Sequence, residues 1–466
     1  MIVVKRICKS LLWILSAYLL FALIASSIPY ISPVMVSEHS EELLLADEDR
    51  SVGPNMKGEV TLIESTEDAF NIRVELLRSA QRQVDFVCHT IHAGESGEAF
   101  LAEIVKAADR GVKVRILLDA KVGATSHQIK RIIKALNQHE NIECRRYNSV
   151  NLLSPWKWQS LLHDKFILVD GELLLLGGRN IGDRYFAPDG YTGAVVNDRD
   201  VLVRGESASD AVEEYMSALW EHEATKPYPK NTNLWRTTLD DLVRFNESFE
   251  ERNQKFYRKT LNEYLDEMVP ATSITFLHNP IHPGQTEPWV AFQMVDLAKE
   301  GSDSIIISTP YATANPLILD VLGEANQNVE LSMVTNSMVS SPNYPAFSNY
   351  YYNRDQFLAT GMTIHEYLGD GSLHGKSLVI DGQISAVGSF NLDDRSSFIN
   401  TESVLVIDSP EFADVLTCAL EEQIQQSSSF PMHEKDGTDI AQTASVGKRL
   451  MMHLAYLFFR PISFLL

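Results

Sequence analysis

One block of this chain is written twice. Leu161–Asn180 reads LLHDKFILVDGELLLLGGRN and Ser372–Asn391 reads SLHGKSLVIDGQISAVGSFN, 211 residues apart. In both copies Lys follows His by two positions, Asp by seven and Asn by seventeen. Residues two apart on a strand leave the same face, so His163 pairs with Lys165 and His374 with Lys376. The apolar runs FILV and SLVI then meet Asp170-Gly171 and Asp381-Gly382. Such Asp-Gly pairs predict a two-residue hairpin turn, because both central residues of that turn need positive φ. Each hairpin carries Asn180 or Asn391 back toward the His it started from.

The order of elements upstream repeats as well. STEDAFNIRVELLRSAQ, with a Ser/Thr cap and acidic first turn, predicts a helix, QVDFVCHTIH a strand, GEAFLAEIVKAADRG a helix closed by Gly111, and VKVRILLD a strand. PWVAFQMVDLAKEG, SIIISTPYA, NPLILDVLGEAN and NVELSMVTN repeat that order before the second block. Strands alternating with helices imply an α/β sheet with parallel pairing in each half. The expected organisation is a membrane segment (1–36), a tether (37–58), a first α/β domain (59–225), a charged helical connector (226–272), a second domain (273–425) and a tail (426–466).

A cation, an imidazole and a neutral amide converging on one point suit a phosphoryl group. Lys165 and Lys376 compensate charge, Asn180, Asn391, Ser389 or the Gly178 N–H donate, and His attacks or donates a proton. One copy reaches one side of a phosphorus; two facing copies supply both the nucleophile and the leaving-group acid. A fixed ammonium beside each His is unfavourable next to a divalent cation, so neither a metal nor another cofactor is expected. Ordinary core hairpins would explain the apolar runs and turns but not the matched polar set.

The ends of the chain point to a lipid surface. Lys5, Arg6 and Lys9 precede the apolar Leu11–Ala25 stretch, and acidic residues follow from Glu38. This fits a cleaved signal peptide or an uncleaved anchor; the anchor reading leaves the basic flank in the cytoplasm and the body outside. VGKRLMMHLAYLFFRPISFLL near the C-terminus fits an amphipathic interfacial segment and equally a last helix packed on the core. The formal charge of −22 offers no broad footprint for nucleic acid. The four cysteines lack metal-site spacing.

The two blocks resemble the His-x-Lys-x4-Asp signature of the phospholipase D superfamily. GGRNIGDRYF, GSFNLDDRSSFINTE and VTNSM are similar to segments of its bacterial cardiolipin synthase branch, and the resemblance runs from about residue 60 to 425. It implies two pseudo-repeated phospholipase D-like α/β sandwich domains sharing one active site. His163 would form a phosphohistidine and His374 would serve as acid, then base, an assignment taken from family practice in a nearly symmetric pair. Lys165, Lys376, Asn180 and Asn391 would hold the non-bridging oxygens, and Asp200 and Glu402 fall where the family orients each His. Asp170 and Asp381 belong to the signature with the His and Lys pairs, but their turn position points to structure. Where the branch has an aromatic-rich strand end, this chain has His89 and His92.

The implied reaction is phosphatidyl transfer between phosphatidylglycerol molecules to give cardiolipin. Transfer to water, giving phosphatidic acid, is the alternative, and a nuclease or a catalytically idle interaction protein are lesser ones. A membrane tether favours the lipid acceptor by effective concentration, and the acidic chain disfavours a nuclease. Oligomeric state is not legible in the sequence.

Overall fold

The computed structural model describes residues 2–45, 57–230, 235–325, 329–430 and 444–466. Residues 46–56, the centre of the expected tether, lie outside the described residues, as do 431–443 of the tail.

Each half is organised round one mixed sheet. In the first, nine strands run in the order 269–271, 58–63, 200–204, 173–177, 166–169, 83–88, 113–119, 142–147, 225–227. In the second, eight strands run 273–278, 403–408, 384–388, 377–380, 304–308, 330–336, 363–367, 427–430. The strand–helix–strand units pair in parallel, Gln83–Cys88 with Lys113–Asp119 and Ser304–Ser308 with Glu330–Asn336. The repeated block adds an antiparallel hairpin beside them, Phe166–Val169 with Leu173–Gly177 and Ser377–Ile380 with Ile384–Gly388. The expected parallel sheet is therefore mixed, because the hairpin is itself a sheet component.

The two sheets pack face to face. Leu168, Leu174, Leu176, Val201 and Val203 from one meet Val379, Val387, Leu405 and Ile407 from the other in a single buried cluster. Period two fixes the result: residues between these point outward, under the helices of their own half. The connector helix Trp235–Arg252 packs on Glu95–Asp109 and His127–Leu136, and Val269–Ala271 joins the first sheet.

Asp170 and Asp381, grouped with the reactive residues by the signature, stand instead at the turns. Their φ values are 56° and 53°, followed by Gly171 at 72° and Gly382 at 61°. One further residue, Glu172 or Gln383, completes each loop by donating its N–H to Val169 or Ile380. The Asp170 carboxylate accepts from the N–H groups of Gln81, Arg82 and Gln83; the Asp381 carboxylate accepts from Ser302, Asp303 and Ser304. Each thus caps the loop entering the neighbouring strand. Asp170→Ala or Asp381→Ala is expected to cost about 1–3 kcal/mol, read by urea unfolding, while kcat changes less than about threefold.

Ile2–Ala25 forms a helix of 24 residues with mostly exposed apolar side chains. At about 1.5 Å per residue it is long enough to cross a bilayer core of about 30 Å and fits a membrane anchor. It is held to the body by the Tyr18 hydroxyl donating to Leu152 O (2.9 Å), and just beyond its end Tyr30 donates to Trp156 O (2.6 Å). The C-terminal helix Val446–Phe459 packs on Tyr344–Ala359, with Met452 buried and Tyr456 stacked on Tyr352 at 4.2 Å. Leu450, Leu454, Leu457 and Phe458 remain exposed on it.

Candidate active site

The two halves exchange short segments just ahead of each His. Ser372–Leu373 pairs in parallel with Val196–Asn197, and Leu162 bridges Thr401. His374 N–H donates to Asn197 O, and His163 N–H donates to Thr401 Oγ1. The residue following each partner is a carboxylate, so each His meets the acid of the opposite half. His163 Nδ1 lies 2.8 and 2.9 Å from the two Glu402 oxygens, and His374 Nδ1 lies 2.5 Å from Asp198 Oδ2. With Nδ1 so engaged, Nε2 is the nitrogen left for chemistry.

Asp198 corrects the expected Asp200. Sheet register sets Asp200 opposite Gly177 and Val404 opposite Gly388, so the counterpart of Glu402 lies two residues before Asp200. Asp200 is instead the counter-ion of two buried arginines, Arg73 (3.0 Å) and Arg179 (3.1 Å). Arg179 also donates to the Asp198 carbonyl, bracing the acid that touches His374. The available signal was the polar dipeptide ahead of each strand, Asn197-Asp198 matching Thr401-Glu402.

His163, His374 and Asn180 line one cavity with His89, His92, Arg184, Tyr185 and Tyr311. Lys165 and Lys376 lie beneath it, almost wholly buried, each donating to its own His carbonyl. Asn180 is fixed by Thr90 N–H at its Oδ1 and by the Tyr185 hydroxyl at its Nδ2. Asn391 bonds Ser396 and keeps a buried Oδ1 without a partner. Two expected donors are already engaged: Ser389 Oγ donates to Glu402, and Gly178 N–H to Arg199 O. Sequence reasoning missed Arg184, whose buried Nε has no hydrogen-bond partner among the described residues and is the natural additional cation for a phosphate. Both His89 and His92 reach the cavity; His89 Nδ1 bonds Leu162 O, and its ring meets His163 edge-on at 5.0 Å.

Burial dominates the electrostatics. It takes His163 well below the ordinary imidazole value and His374 to about 4, with the lysine ammonium groups pushing the same way. It lowers Lys376 to about 7 against the pull of Asp198, and raises Glu402 to about 7. Burial also opposes the Asp198 anion, yet His374 and Lys376 hold its pKa below the usual carboxylate range. The two pairs are therefore unequal, with the firmer anion beside His374. kcat/KM is expected to peak near neutral pH. Below about 7 Glu402 takes up a proton and stops accepting from His163; above about 7 Lys376 loses its charge. Lys376→Arg, charged throughout, should flatten the alkaline limb, and an unchanged limb would exclude Lys376 as its source.

Comparison with known proteins places both halves in one family. The family model described as cardiolipin synthase, PLD-like domain matches residues 74–220 and 294–424, one match per half. The chain belongs to that family. It is 26% identical over 394 residues to cardiolipin synthase C of Escherichia coli, covering 76% of this chain and 82% of that one. It is 26% identical to cardiolipin synthase A of Edwardsiella ictaluri, covering 84% and 74%. An uncharacterized protein of Helicobacter pylori is 28% identical over 440 residues. The phosphatidylserine synthase of Haemophilus influenzae shares the fold, with a TM-score of 0.63, 13% identity, and coverage of 88% of this chain and 98% of that one. The chain is thus a phospholipase D-like enzyme of the phospholipid synthase type.

Proposed function

We propose that this protein is a membrane-tethered phosphatidyltransferase that makes cardiolipin from two phosphatidylglycerol molecules. The observation that carries the reading is the crossed pair: two histidines from two halves share one cavity, each clamped at Nδ1 by the opposite half's acid.

His163 Nε2 attacks the phosphorus of the first lipid while the P–O bond to its headgroup glycerol breaks. His374 gives its Nε2 proton to that departing oxygen, leaving a phosphatidyl group on His163. A hydroxyl of the second phosphatidylglycerol then enters, loses its proton to His374 and attacks phosphorus, and the P–N bond breaks to return His163. The unequal acids favour this division of labour. Burial and Lys376 hold His374 at about 4 before lipid binds. Asp198, the firmer anion, and the negative charge of the incoming phosphodiester together stabilise the imidazolium that a general acid must be, whereas Glu402 beside His163 leaves a neutral nucleophile within reach. Lys165, Lys376, Asn180 and Arg184 surround the non-bridging oxygens, whose charge grows in the transition state.

The basic flank Lys5, Arg6 and Lys9 supports an orientation with the N-terminus in the cytoplasm and the catalytic body beyond the membrane. Expression in cells lacking cardiolipin tests the reaction: cardiolipin should reappear in the lipid extract, and phosphatidic acid without cardiolipin would replace this reading with hydrolysis. Protease added to intact spheroplasts should cleave the body; full protection would reverse the topology.

A further inference from the structure

The two halves differ sharply in the layer between sheet and outer helices. In the second half the helices Trp289–Lys299 and Pro316–Ala325 leave an apolar cavity against the sheet, open on one side. It runs from Lys376 at the active-site end to Ala298 in the last turn of the first helix.

The internal repeat explains why space is open here. Counting back from the equivalent strands, Phe70 corresponds to Ala291 and Leu77 to Ala298; strand register relates Phe86 to Ile307 and Leu175 to Ala386. Every second-half member of these pairs lines the cavity, and each is smaller than its first-half counterpart. In the first half Phe70 packs on Phe186, Phe249 and Phe256, and Phe86 packs on Phe100, filling the layer. The charged cluster is replaced too: Arg73, Asp200 and Arg179 correspond to Met294, Val404 and Phe390, all in the cavity wall. What is filled by rings and ions in one copy is an apolar slot in the other.

Most polar side chains of the wall are engaged elsewhere. Thr309 Oγ1 donates to Tyr311 O and accepts from Leu392 N–H, Ser377 Oγ accepts from Arg199, and Lys376 Nζ is bonded at His374. A slot with so few free polar partners holds ordered water poorly, and its lining gains from an apolar guest. Lys376 lines the slot and donates its Nζ to the His374 carbonyl, so one end of the slot lies beside the site.

We propose that this cavity is an acyl-chain pocket, which seats one fatty chain of the phospholipid whose phosphate lies between His163 and His374. The proposal rests on the phospholipid reading and sharpens it: the chain enters on the second-half side alone, so the two histidines meet an oriented lipid. Such seating would set the direction of attack in a pair of otherwise similar half-sites.

Two measurements on the full-length protein in detergent micelles test it. In the first, dioleoyl phosphatidylglycerol with a diazirine near the end of one chain is photolysed on the wild-type protein and the adducts are mapped by peptide mass spectrometry. Adducts are expected on peptides bearing Met294, Ile318 or Leu322; labelling confined to other segments overturns the pocket. The second restores first-half volumes with Ala291→Phe or Ala386→Leu, at opposite walls of the slot. Each should lower kcat/KM for the dioleoyl lipid at least about tenfold while dihexanoyl phosphatidylglycerol is turned over within about twofold of wild type. Equal loss on both lipids, or loss on neither, overturns the proposal. Labelling without any phospholipid turnover by wild type would retain the pocket and reject the reaction; turnover without labelling would do the opposite.

Discussion

His163→Ala will lower phosphatidyl transfer by at least about 10⁴-fold, and it will remove the covalent intermediate altogether. His374→Ala will be equally slow on phosphatidylglycerol, because the glycerol oxygen leaves without a proton. The two variants separate on an activated lipid, a p-nitrophenyl ester of phosphatidic acid, whose leaving group needs no acid. With it, His374→Ala should release nitrophenol in a burst and then stop, with the lipid phosphate trapped on the peptide containing His163. His163→Ala should show neither burst nor trapped label. Label recovered on His374 would invert the assignment of nucleophile and acid, and a burst in both variants would reject the phosphohistidine. The expectation follows from position: both rings line one cavity, both offer Nε2, and only the neighbouring acids distinguish them.

Asp198 and Asp200, two residues apart, should fail in opposite ways. Asp198→Asn keeps a hydrogen-bonding group of the same size beside His374 but no longer holds the imidazolium or its tautomer, so kcat should fall about 10³–10⁴-fold in a protein that still folds. Asp200→Asn leaves Arg73 and Arg179 buried without their anion, at a cost of about 3–5 kcal/mol. Equilibrium unfolding should therefore show the larger loss for Asp200→Asn, and single-turnover kinetics the larger loss for Asp198→Asn. If Asp200→Asn proves as stable as wild type, the two arginines have another counter-charge and Asp200 is not their keystone. Arg73→Met with Asp200→Val, which copies the second half at both positions, should recover part of the lost stability.

The contrast shows what local sequence carries. The Asp-Gly turns and the apolar runs are governed by turn dihedrals and by period two, and they stand in the structure where the spacing puts them, whereas the His and Lys pairs lie just ahead of the strands they are expected to share. Asp170 and Asp381 needed the fold to show what they hold, since their partners lie on loops 88 and 79 residues away. Asp200 misled for a definite reason. It opens its strand as an acid should, but the pairing partner that fixes its depth, Gly177, belongs to another strand. Arg184 was hidden because only burial reveals that its Nε lacks a partner.

By itself the sequence determined the duplicated α/β plan, the apolar N-terminal helix and the doubled His, Lys and Asn pattern, because these depend on residue type and on spacing along one element. Tertiary structure decided which acid serves which histidine, and that each comes from the other half. Bridges such as Leu162 to Thr401 and Leu373 to Asn197 form only when the two sheets close on one another, and no spacing along the chain encodes that closure. It also decided that the layer filled in one half is open in the other, since volume emerges from several small substitutions brought together by packing.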